Sequence, residues 1–218
     1  MLQSAGSIPL LNQAHPVYVL AASAYPPVRT IVVDPSRFGP APRCFFSPFD
    51  ALLEMLLLQR QKGQPVVAVA HSGFLSSHFF YSHPLRQRPL TMHVAWLAHE
   101  ARLVTDSNGF AIRVAREQAA RWRVRSRTLN EMMIDAGTWS LLDRAHECAG
   151  LFAWRETMQL VRGWFAAPAA SEAALRRALI ALDTVGTVAI SVDRATQLAM
   201  YDPETGGWHF IPRNAVDH

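Results

Sequence analysis

The stretch Arg113-Val-Ala-Arg-Glu-Gln-Ala-Ala-Arg-Trp-Arg-Val-Arg-Ser-Arg-Thr-Leu-Asn-Glu-Met-Met-Ile134 decides how the middle of this chain folds. Read at helical period from about Ala115 to Asp135, it lines up Ala115, Ala119, Trp122, Leu129 and Met133 on one stripe. Arg116, Arg123 and Arg127 then share the solvent side, with Arg121 and Arg125 beside them. Read at period two, Arg121-Trp-Arg-Val-Arg-Ser-Arg127 alternates without a fault and puts four arginines on one face of a strand. The continuation through Asn130 to Ile134 favours the helix, and the local alternation keeps the strand open.

Either way the charge is concentrated. Arg113, Arg116, Arg121, Arg123, Arg125 and Arg127 stand against one acid, Glu117, so this window carries +5 in a chain whose formal total is +4. The remainder sums to −1, and the chain reads as a nearly neutral body with one basic segment. Of the 21 basic residues only Lys62 is lysine. A GC-rich genome accounts for that preference, though not for the clustering.

Outward from this segment, 218 residues with 50% hydrophobic and 17% charged content exclude an intrinsically disordered chain. A chain of this size buries roughly 70% of its unfolded surface, enough for a core without metal or disulfide staples. Val17 to Ala24 looks superficially like a signal peptide, but no Lys or Arg precedes it and His15-Pro16 interrupt it, so a buried strand fits better. The uncharged residues 64 to 85 hold too many Ser, His and Pro to span a membrane. With no membrane insertion expected and only Cys44 and Cys148 present, reduced cytoplasmic thiols are the default.

Strands are expected at 16–24 and Val28–Val33, broken by Tyr25-Pro-Pro27, and a short one at Cys44–Phe46. Ser47-Pro-Phe-Asp50 combines an N-cap serine, a first-turn proline and an acid, and predicts a helix from Pro48 to Lys62 with Leu52, Met55 and Leu56 inward. Pro65–Ala70 reads as a strand covered on both faces, Gly73–Pro89 as a long loop, and Leu90–Ala98 as a strand. A hairpin follows, Arg102–Thr105 and Phe110–Val114 around Asp106-Ser-Asn-Gly109. One helix is expected over Thr138–Phe165, with Gly150 and Gly163 as points that kink it or end it, and another from Ser171 to Leu182. Strands at 187–192, 198–201 and 208–211 finish an α+β chain, a mixed sheet with packed helices. One compact domain over 1–218 is expected, with a soft boundary near Gly137.

No complete catalytic or metal constellation is visible, so no cofactor is expected and the reading leans away from an enzyme. His71, His78, His83, His93 and His99 lack metal-ligand spacing, and His99-Glu100 and His146-Glu147 lack the second histidine of a zinc-peptidase helix. Ala70-His-Ser-Gly-Phe74 resembles a nucleophile elbow only in part, with Phe74 where a small residue is needed after Ser72. Asp34, Arg37 and Arg43 flank a Pro-punctuated loop that leads into the capped helix, an arrangement suited to holding a phosphate.

Thr30-Ile-Val-Val-Asp-Pro-Ser-Arg37, then Ala41-Pro-Arg43, a helix and Gly63-Gln-Pro-Val-Val67 resembles the opening of ParB/sulfiredoxin-like domains. The resemblance covers about 40 of 218 residues and departs where His71-Ser-Gly-Phe74 stands in place of the family's phosphate-contacting G-E-R-R motif. Relatives of that fold include plasmid fertility-inhibition proteins. The absence of a complete catalytic constellation beside a surplus of aromatics points to a regulatory or inhibitory protein that binds a macromolecular partner; the resemblance implies inhibition of conjugative DNA transfer, and an immunity-type protein is the other form of this reading. Two other functions remain open: nucleic-acid binding through Arg113, Arg116, Arg121, Arg123, Arg125 and Arg127, and a ParB-like nuclease or nucleotide hydrolase. The same arginines serve a protein partner equally well.

Overall fold

The computed structural model describes residues 17–22, 30–37, 39–62, 67–71, 87–124, 130–165 and 168–216. Its elements are β1 (Tyr18–Ala22), β2 (Thr30–Ile31), β3 (Val33–Asp34), β4 (Ala41–Phe45), α1 (Pro48–Lys62), β5 (Val67–His71), β6 (Gln87–His99), β7 (Arg102–Thr105), β8 (Arg113–Val124) and β9 (Asn130–Met133). There follow α2 (Ala136–Cys148), α3 (Trp154–Trp164), α4 (Pro168–Val185), β10 (Thr187–Ala189), β11 (Gln197–Asp202) and β12 (Gly207–Pro212), with short 3-10 turns at Val192–Arg194 and Arg213–Val216. The architecture is α+β, a mixed sheet with packed helices.

β6 is the axis of the sheet. It pairs antiparallel with β8 from Gln87 to Trp96 and parallel with β4 through Arg43↔Thr91 and Cys44↔Met92. Its end takes β7 on one side and β11 on the other, so strands from both sides of Gly137 share one sheet. Beyond β4, β1 pairs with β2, β4 and β5. Alternation along the strands divides the core in two. Val17, Val19, Cys44, Met92 and Leu97 face α2 and the start of α3, while Tyr18, Leu20, Phe45, Trp96 and Ala98 face α1, α4 and the end of α3.

α1 has the predicted boundaries because its start is encoded locally: Asp50 N donates to Ser47 Oγ at 3.1 Å. It is buried more broadly than one face, since Phe49, Ala51 and Leu53 are as enclosed as Leu52, Met55 and Leu56. The Asp106 turn also forms, with Oδ1 accepting from Asn108 N and Phe110 N and Gly109 at φ 83°. Its returning arm makes only an isolated bridge to β7 before joining β6.

The helix over 115–135 does not form. Residues 113–124 are β8, which continues into β9 through Arg121↔Met133 and Val124↔Asn130. Ala115, placed on the buried helical stripe by the sequence reading, is exposed, while Arg113 is interior. The reason is non-local: β6 runs 13 residues and pairs with β8 from Gln87↔Arg121 to Trp96↔Arg113, a ladder that overrides the local helical preference of a segment rich in the good helix formers Ala and Arg. The helical span 138–165 is two helices, α2 and α3, and of the two glycines expected to kink or end it Gly150 ends the first, with a φ of 76° in the left-handed region, while Gly163 lies within α3. Ser171 lies inside α4 rather than at its start. Most of the loop expected over Gly73–Pro89 lies outside the described residues, while Gln87–Pro89 belong to β6.

Candidate functional site

Four charged side chains from four separate elements meet on the α1 side of the sheet. Asp34 closes β3, Arg43 lies in β4, Glu54 stands midway along α1 and Arg113 opens β8. Asp34 Oδ1 accepts from Arg43 Nε at 3.1 Å and Nη2 at 2.6 Å, while Oδ2 accepts from Thr91 Oγ1 at 2.6 Å and from Arg113 Nη2. Glu54 accepts from Arg43 Nη1 and, at 3.0 Å, from Trp96 Nε1, and lies 3.6 Å from Arg113 Nε. The Glu54 and Arg113 side chains are 3% and 7% exposed. At that burial the ions are stable only because they compensate one another: two guanidinium and two carboxylate groups sum to zero.

The electrostatics follow from the geometry. Burial pushes the Asp34 carboxyl up, but the Arg113 and Arg43 guanidinium groups and the Thr91 and Arg43 hydrogen bonds outweigh it and hold the carboxyl below its usual value. Burial lowers Arg113, and Glu54 and Asp34 oppose that loss. The neighbouring Cys44 thiol is pushed by burial up to about 12, with Arg113 opposing and Asp34 adding to the rise. Arg113 also sits 5.6 Å from the centroid of the Phe45 ring. Beneath the cluster lies His93, 3% exposed, with its ring centroid 5.2 Å from Phe45 and 4.3 Å from Trp96. Among the described residues neither of its ring nitrogens has a hydrogen-bond partner, nor does Arg113 Nη1.

The residues expected to hold a phosphate are thus divided. Asp34 and Arg43 bind each other in the interior, and Arg43 spends Nε, Nη1 and Nη2 on carboxylates. Arg37 stays at the surface with its Nε 3.7 Å from Glu117. The arginine segment divides too. Arg113 belongs to the interior cluster and Arg116 is exposed. Arg121 and Arg123 occupy β8 opposite Met133 and Glu131, and Arg125 and Arg127 lie outside the described residues.

Comparison with family models, with curated proteins and with solved structures returns no match.

Glu54, Thr91, Trp96 and His93 were missed as site residues by sequence reasoning. Glu54 did leave a signal, as the one acid inside the apolar run Ala51-Leu-Leu-Glu-Met-Leu-Leu-Leu58. Among the described residues no group of three His, Cys, Asp or Glu side chains is placed to hold a metal, and no helix is long and apolar enough to cross a membrane. Ser72 lies outside the described residues.

Proposed function

We propose that this protein is a regulatory or inhibitory protein that acts by docking a macromolecular partner through the basic β8–β9 region, in conjugative DNA transfer or as an immunity-type protein within the cytoplasm. One observation carries the reading: the ionisable groups gathered at the centre of the sheet are committed to one another, whereas Arg116 is exposed and Arg121 and Arg123 follow along the same strand. Alternate residues of a strand repeat about every 6.7 Å on one face, so Arg121 and Arg123 form a short row of cationic positions suited to an acidic protein surface, while Arg116, five residues before Arg121, belongs to the other face. The nucleic-acid reading rests on the same row, since clustered arginine neutralises phosphates. The nuclease or nucleotide-hydrolase reading draws no support from Asp34 and Arg43, whose charges are spent on the interior.

The experiment is a mating assay with the protein expressed in donor cells carrying conjugative plasmids of several types, beside a variant with Arg116, Arg121, Arg123, Arg125 and Arg127 changed to Ala. Transfer should fall with the parent protein and recover with the variant. Equal transfer with both would remove the arginine segment from the account. A salt series of binding to labelled DNA and RNA separates the partner classes, because phosphate contacts weaken steeply with salt and an unbound nucleic acid at low salt leaves the protein partner.

A further inference from the structure

The pairing of β6 with β8 shifts register between His93 and Ala95, a bulge that sends Val94 and Ala95 to the same core cluster. His93 and Trp96 therefore both face α1, and the His93 ring is enclosed between Phe45 and Trp96 with no hydrogen-bond partner for either nitrogen among the described residues. The charged neighbours are the guanidinium groups of Arg43 on β4 and Arg113 on β8, with His146 of α2 adding to their field. The carboxylates of Asp34 on β3 and Glu54 on α1 are already taken up by those arginines, Thr91 and Trp96. The facing residue of β8, Ala115, carries no charge.

We propose that His93 and the Asp34–Arg43–Glu54–Arg113 cluster form an acid-sensitive latch, in which uptake of one proton at His93 releases α1 and the β3–β4 segment from the sheet. A third cation at this place meets two guanidinium groups whose carboxylate partners, Asp34 and Glu54, are already engaged, and the next carboxylate on β8, Glu117 opposite Thr91, lies 3.7 Å from Arg37 Nε, so the protonated ring is accommodated only when the packing opens. Burial first, then Arg113, Arg43 and His146, hold His93 well below its ordinary 6.5 in the closed form. As pH falls below that ordinary value, the open form takes up a proton that the closed form refuses, and the open-to-closed ratio rises about tenfold per pH unit. Asp50 on the same helix works in the opposite sense. Its carboxyl, raised by burial to about 8 against an ordinary 3.8, releases its proton on opening and masks the His93 dependence.

The test therefore uses Asp50→Asn and the double variant Asp50→Asn/His93→Gln, with hydrogen exchange of peptides from α1 and α4 followed from about pH 7 to about pH 5 and corrected for intrinsic rates. The opening constant for α1 should rise about tenfold per unit in the single variant and stay level in the double variant, with α4 protected in both. The same slope in both variants, or acceleration spread equally over α4, overturns the proposal. Ring resonances of His93 in the unmodified protein supply a readout that needs no substitution. Protonation near 6.5 with α1 still protected is equally contrary.

Discussion

Arg113 and Asp34 stand 79 positions apart in the chain and form an ion pair inside it. Between them they tie β8 to the Pro-punctuated segment before α1, and Arg43 and Glu54 complete the circuit. Such a cluster is neutral only as a whole. Removing one member leaves a buried charge uncompensated, so Asp34→Ala should destabilise the fold by about 3–5 kcal/mol. In a double-mutant cycle with Arg113→Met the two losses should fall short of additivity by about 1–3 kcal/mol, measured by urea unfolding. Simple additivity would mean that the pair does not couple.

Asp50 sets a pH dependence of its own. Its carboxyl is raised by burial to about 8 in the folded chain and has an ordinary value of 3.8, so the folded state holds a proton that the unfolded state gives up between those values. That contribution is fully present below 3.8 and is lost as pH rises through about 8, by up to about 1.4 kcal/mol per unit. Asp50→Asn should therefore gain on the parent steadily between pH 5 and 8 in thermal or urea unfolding. An unchanged difference across that range would place the carboxyl in water.

The two cysteines should differ sharply in reactivity. Cys44 is buried with its thiol pushed up to about 12, while Cys148 is exposed at the end of α2. A thiol reagent near neutral pH should label one site in the native protein and a second only after unfolding. Rapid labelling of Cys44 would show that β4 opens readily.

Gly150 tests the division between α2 and α3. Its φ is 76° and a Cβ there would meet nothing within 4 Å, so Gly150→Ala should cost about 1 kcal/mol through the backbone alone. A neutral or stabilising result would mean that the two helices join as the sequence periodicity suggests.

The elements legible in the sequence are those whose cause is local. Ser47 and Pro48 start α1, and Asp106 with Gly109 make a turn, because the hydrogen bonds involved reach only a few residues. Residues 113–124 could not be read this way. Their apolar side chains satisfy a helical stripe and a strand alternation together, and the choice is made by β6, a partner up to 34 positions away at Gln87↔Arg121. The site shows the same limit. Asp34 and Arg43 stand out as neighbours nine residues apart, whereas Glu54 draws no reading and Arg113 reads only as one member of the basic segment, because it is the sheet that brings them together.

The central claim is that Arg113 of the basic segment builds the interior while Arg116, three residues on, remains at the surface. Thermal unfolding of Arg113→Ala beside Arg116→Ala tests this most directly. Loss of Arg113 should remove about 3–5 kcal/mol, which for a chain of this size is about 6–20 °C in the midpoint. Loss of Arg116 should stay within about 0.5 kcal/mol, the range of ordinary surface changes. Midpoints that fall together, or an Arg113→Ala variant as stable as the parent, would contradict the account.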